Sequence, residues 1–63
     1  MTVAHPNAMS LLTLEEAASA LRKSPAQLRW MLHNRTAPKS GLIGGRRMFR
    51  AADIQAYIDA AFD

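Results

Sequence analysis

The chain contains no cysteine, which excludes disulfides and thiolate metal sites and leaves nothing that demands an oxidising compartment. A cytoplasmic location is the default expectation. No apolar run approaches the roughly 18 residues that a membrane-spanning helix needs, and residues 1–10 lack both the basic start and the apolar stretch of a signal peptide. With His5, Pro6 and Asn7 and no periodicity, that segment is expected to be a flexible arm. Three glycines and three prolines punctuate the chain without forming a repeat, a low-complexity tract or an internal linker. The two histidines, His5 and His33, are far apart, and neither has an acid nearby. No nucleophile or metal constellation can be assembled from such a set, so neither an enzyme nor a cofactor is expected.

The most informative absence is of acid. Between Glu16 and Asp53 there is no Asp or Glu, while all eight Lys and Arg residues lie between Arg22 and Arg50. The five acids, Glu15, Glu16, Asp53, Asp59 and Asp63, fall outside that window, so the net charge of +3 understates the local field. Such segregation suits one face to a polyanion. Because apolar residues and turn signals are interleaved with the cations, the pattern is that of a folded surface; a solvated tail would show an unbroken basic run.

What is present organises 63 residues into one small, marginally stable domain over residues 11–63. Thr13-Leu14-Glu15-Glu16 fits a capping box. Leu14, Ala17, Ala18 and Leu21 then form one apolar stripe, and the helix should end near Arg22 or Lys23. Ser24-Pro25-Ala26-Gln27 signals a second start, with an N-cap Ser, Pro at the first helical position and Gln at the third. Leu28, Met31 and Leu32 face inward, and this helix should stop near Asn34 or Arg35, ahead of Pro38. Two amphipathic helices separated by so few residues are the sequence form of a helix-turn-helix.

Gly44-Gly45 lies between the strand-like runs Leu42-Ile43 and Met48-Phe49-Arg50 and signals a hairpin. A two-residue loop sets Leu42 opposite Arg47. A four-residue loop through Arg47 sets Leu42 opposite Phe49, gives a cleaner apolar face and puts Arg46 and Arg47 at the tip; the longer loop is preferred. From Ala51 the period is helical again, with Ile54, Tyr57, Ile58 and Ala61 in register, Asp53 in the first turn, and an end near Phe62. The expected fold is mostly α with a small β-hairpin, a winged helix-turn-helix in the order α-turn-α-β-β-α.

With Leu28, Met31 and Leu32 inward, the second helix turns Ala26, Trp30 and His33 outward, flanked by Gln27, Arg29 and Asn34. Arg and Gln can hydrogen-bond guanine and adenine edges in the major groove, and a capped helix start can hold a phosphate on free backbone N–H groups. Arg46, Arg47 and Arg50 on the wing can reach a phosphate line or a narrow minor groove. Each has a plainer alternative. Arg46 and Arg47 fit a solubilising loop edge, Arg50 fits a pair with Asp53 or a cap on the third helix, Trp30 fits a core or satellite cluster or a protein interface, and His33 fits an ordinary exposed helix position. Gly41-Leu42-Ile43-Gly44-Gly45-Arg46 lacks the Gly-Lys-Ser/Thr ending of a phosphate loop and opens into a strand, so it is set aside.

Leu11 to Ile58 resembles the excisionase-like winged helix-turn-helix family, small relatives of the MerR DNA-binding domain. The resemblance lies in Leu12-Thr13-Leu14-Glu15-Glu16-Ala17-Ala18, Ser24-Pro25, Gly45-Arg46-Arg47-Met48-Phe49-Arg50 and Asp53-Ile54-Gln55-Ala56-Tyr57-Ile58. It implies a sequence-specific binder of double-stranded DNA in a bacterial host cytoplasm or nucleoid. On this pattern the second helix enters the major groove and the wing touches the minor groove or backbone. It further implies cooperative head-to-tail binding to neighbouring sites, DNA bending, and a tyrosine integrase partner directed toward excision. The DNA-contacting set would be Arg22, Lys23 and Ser24 at the turn, Gln27, Arg29, Trp30 and His33 on the second helix, and Arg46, Arg47 and Arg50 on the wing. Two departures stand out: Trp30 occupies a position where the family often has Arg or Lys, and no Gly follows the second helix. MerR-type regulators continue into a long dimerisation helix and an effector domain; with Asp63 as the last residue, a stand-alone winged domain is expected. A small transcription regulator of the same fold and a basic protein-interaction module are the alternatives.

Overall fold

The computed structural model describes residues 10–63, in the order β1 (Leu11–Thr13), α1 (Leu14–Ala20), α2 (Pro25–His33), β2 (Gly41–Ile43), β3 (Arg46–Arg50) and α3 (Ala51–Ala61). The arm expected over residues 1–10 lies, apart from Ser10, outside the described residues. Both predicted capping boxes form. The Thr13 N–H donates to Glu16 Oε1 at 2.8 Å while the Glu16 N–H donates to Thr13 Oγ1 at 3.1 Å. Ser24 and Gln27 repeat the arrangement at 2.8 and 3.1 Å. Two orphan N–H groups are thereby satisfied at each helix start.

The helix ends are also alike. After α1 the Lys23 N–H reaches the Ala18 carbonyl at 2.8 Å and the Arg22 N–H reaches that of Ser19 at 3.0 Å. After α2 the Thr36 N–H reaches Met31 at 2.9 Å and the Arg35 N–H reaches Leu32 at 3.2 Å. These are paired Schellman closures, which require a left-handed residue in the position usually given to Gly. Here it is Arg22 and Arg35, each at φ 60°, a conformation that costs an L-residue about 1–2 kcal/mol. The missing Gly after the second helix is thus replaced by an arginine that accepts the strain. Side chains help to close that end: Asn34 Nδ2 donates to the Trp30 carbonyl at 3.0 Å, and Thr36 Oγ1 donates to that of Met31 at 3.3 Å.

The sheet holds a strand that the sequence reading did not foresee, and that strand corrects the wing register. β1 pairs antiparallel with β3, Leu12 opposite Phe49, and β3 pairs with β2, Leu42 opposite Arg47 and Ile43 opposite Arg46, giving the order β1-β3-β2. The hairpin therefore turns through Gly44 and Gly45 alone, at φ 59° and 81°, and the preferred four-residue loop does not form. Positive φ at both central residues suits the primed two-residue turn whose twist matches the flanking strands. The longer loop looked better because it gave Phe49 an apolar cross-strand partner. Leu12 supplies that partner from the unforeseen strand, leaving Leu42 free to sit opposite Arg47.

Phe49 and Leu28 are fully buried and, with Leu14, Ala17, Ala18 and Ile54, form the core among the described residues. Ala17 and Ala18, both wholly inaccessible, keep α1 thin enough to pack closely. Leu12, Leu21, Met31, Leu32 and Ile58 complete the cluster at its edge. On α3 the expected stripe holds for Ile54, Tyr57 and Ile58, but Ala61 is exposed. The Ala51 N–H donates to the Ser10 carbonyl at 2.8 Å, tying the start of α3 to the chain just before β1.

Candidate nucleic-acid interface

Packing decides which face of α2 is offered to a ligand. Leu28 is its buried anchor, Met31 and Leu32 are half-buried, and Ala26, Gln27, Arg29, Trp30 and His33 are exposed. Trp30 is 66% accessible, so its side chain belongs to the outer face and not to the core. An exposed indole beside Arg29 and His33 is a flat apolar surface edged with hydrogen-bond donors.

The cations differ in how free they are. Arg50 Nε donates to Asp53 Oδ2 at 2.7 Å where β3 turns into α3, so the structural alternative foreseen for Arg50 is realised in the free protein. Arg47 Nη1 donates to Ser40 Oγ at 3.1 Å and is half-buried. Arg29 Nη2 lies 3.9 Å from Glu15 Oε2, with both side chains largely exposed; such a pair contributes roughly 0–1 kcal/mol and opens easily. Arg22, Lys23, Arg35, Lys39 and Arg46 are exposed and make no ion pair or side-chain hydrogen bond among the described residues.

Strand alternation separates the wing arginines. Arg47 shares the side of β3 that carries Phe49, whereas Arg46 shares the opposite side with Met48 and Arg50. Only Arg46 adjoins the Gly44-Gly45 tip. The two adjacent residues therefore cannot serve one surface together, as a loop through Arg47 would have allowed.

Ser24 and Gln27 carry a double duty. Gln27 Oε1 accepts the Ser24 N–H, which leaves the Gln27 amide as a donor but uses the acceptor that a bidentate adenine contact needs. Arg35 and Lys39 were not among the candidates drawn from the sequence. They lie in the connection from α2 to β2, which is held in place: Tyr57 Oη donates to the Thr36 carbonyl at 2.9 Å, and Pro38 is buried. Their membership of the acid-free window was visible in the sequence, but the fixed loop that presents them was not. No group of three metal-ligating side chains exists among the described residues, and no helix there is long and apolar enough to cross a membrane.

Three helices with a small three-stranded antiparallel sheet, two of the helices joined by a tight turn and followed by a β-hairpin, define a winged helix-turn-helix protein. A family model described as a helix-turn-helix domain matches residues 11–61, and the chain belongs to that family, which includes excisionase-like DNA-binding domains. No curated protein and no solved structure gives a significant match. Membership implies DNA binding, with DNA as partner, in a family that is typically non-enzymatic.

Proposed function

We propose that this protein recognises specific sequences in double-stranded DNA and acts as an excisionase, binding tandem sites cooperatively, curving the DNA and directing a tyrosine integrase toward excision. The observation that carries the DNA-binding core of this reading is the division of surfaces. The unpaired cations and the exposed face of α2 lie on one stretch of chain, from the turn through the wing, while the acids lie on α1 and α3 and beyond. In this reading α2 lies in the major groove, with Gln27, Arg29, Trp30 and His33 toward the bases. Arg22, Lys23 and Ser24 meet phosphates at the turn, and Arg46, with Arg50 on the same side of β3, follows the neighbouring backbone, while Arg47 supports the wing from the other side.

The excisionase role draws its support from the family resemblance and from the modest reach of a single winged domain on DNA. One small domain makes few base contacts, each worth about 1–3 kcal/mol, so specificity calls for several copies side by side on adjoining sites. Exposed Phe62, at the end of α3 and off the α2 face, offers apolar surface for head-to-tail contact.

Band-shift titration with footprinting, repeated across a range of salt, tests both levels. About five phosphate contacts give a slope of log K against log salt near −4 to −5, and cooperative assembly gives a ladder of evenly spaced protected sites. A single protected site without a ladder rejects the assembly and leaves a small transcription regulator of the same fold. Absence of duplex binding at low salt rejects DNA recognition and leaves a basic protein-interaction module.

A further inference from the structure

Among the described residues, positive φ occurs at Arg22, Arg35, Gly44 and Gly45. At the wing the chain meets this requirement with glycine, the residue that adopts it without strain. At the ends of α1 and α2 it uses arginine twice, both times at the same position of the same Schellman closure. Both arginines are exposed, and neither has an acidic partner. A left-handed residue leaves the rows of the helix it ends, so its side chain is not stacked back on the preceding turn. Arg22 precedes α2 and Arg35 follows it, so the two stand beyond opposite ends of a helix that rises about 15 Å from the Ser24 cap to Asn34 at 1.5 Å per residue.

We propose that Arg22 and Arg35 are a matched pair of phosphate contacts, kept in strained backbone positions because they grip the DNA backbone at the two ends of α2. This rests on the DNA-binding reading and extends it to Arg35. The pinned loop beyond Arg35, with Tyr57 on the Thr36 carbonyl and Pro38 buried, holds its backbone ready, so little order need be gained on binding.

The test uses Arg22→Gly and Arg35→Gly in the full chain, with thermal melts beside salt-dependent band-shifts on duplex DNA. Each variant is expected to melt at least as high as the parent, because glycine relieves the left-handed strain, yet to bind DNA roughly eightfold more weakly at 0.1 M salt, with the salt slope shallower by about 0.9. If the arginines serve only as cations at helix C-termini, the variants will melt lower, with affinity and slope unchanged once folded, and the proposal is overturned. A parent protein that binds no duplex DNA overturns this proposal together with the reading beneath it, whereas a parent that binds while both variants match it overturns the phosphate pair alone.

Discussion

Helices α1 and α2 are closed by the same bonds: a Thr or Ser reciprocated by Glu or Gln at the start, an arginine at φ 60° just past the end. Between those matching ends they carry opposite loads. α1 buries Leu14, Ala17 and Ala18 and exposes two acids; α2 buries only Leu28 and exposes Arg29, Trp30 and His33. Local capping chemistry places both helices, and burial and charge then make one a scaffold and leave the other as the proposed contact surface. A helix with one buried anchor is held in orientation without its outer face being committed to the core, which is what a groove-reading element requires.

The largest expected effect is at that anchor. Leu28→Ala removes a fully buried side chain and should cost about 2–5 kcal/mol, against a total stability of roughly 3–9 kcal/mol for a chain of this length at 0.05–0.15 kcal/mol per residue. Denaturant titration should show stability lowered by that amount, enough to unfold the variant outright where the parent lies at the low end of the range. A loss below 1 kcal/mol would mean that α2 is held by something other than Leu28, and the contrast between the helices would fail.

Smaller, and more discriminating, is the pair of cap substitutions. Thr13→Ala and Ser24→Ala remove equivalent bonds of 3.1 Å, and each should cost about 1 kcal/mol by thermal or denaturant melt. DNA affinity should separate them. On the proposed reading, loss of the Ser24 hydroxyl should free the start of α2 beside the phosphates and weaken binding beyond what stability explains, whereas loss of the Thr13 hydroxyl should leave the affinity of the folded protein intact. Equal effects on binding would show that α2 is not distinguished from α1 at the DNA.

The parts legible in the sequence are those written in local chemistry. Thr13-Leu14-Glu15-Glu16 and Ser24-Pro25-Ala26-Gln27 state helix starts that the structure reproduces bond for bond, and the spacing of Leu14, Ala17, Ala18, Leu28 and Ile54 states the core. The errors were non-local. Leu11-Leu12-Thr13 is too short to show alternation, so nothing local marks β1, and without Leu12 the register that best satisfies Phe49 is the one that pairs it within the hairpin. The left-handed arginines were invisible for another reason: Gly or Asn usually marks that conformation, and Arg22 and Arg35 carry no such mark. At the candidate site, residue type was readable and availability was not. Nothing local announced that Arg50 would pair with Asp53, Arg47 with Ser40, or Gln27 Oε1 with the Ser24 N–H.

The smallest expected effect lies where the two helices touch electrostatically. Glu15 of α1 faces Arg29 of α2 at 3.9 Å, so on the proposed reading the scaffold's acid borders the contact surface and competes with DNA for Arg29. Glu15→Gln should leave the fold nearly unchanged, since an exposed pair of this kind contributes roughly 0–1 kcal/mol and the capping carboxylate belongs to Glu16. It should raise duplex affinity by at most about fivefold, the equivalent of 1 kcal/mol at RT ≈ 0.59 kcal/mol, and the gain should shrink as salt screens it. Asp59→Asn, on α3 beside Gln55, is the matched control and should change affinity less, because that acid is not ion-paired with Arg29. A fall in affinity on Glu15→Gln would mean that Glu15 holds Arg29 in its reading position. α1 would then be part of the contact surface, and the division between the two helices would have to be drawn through α1 itself.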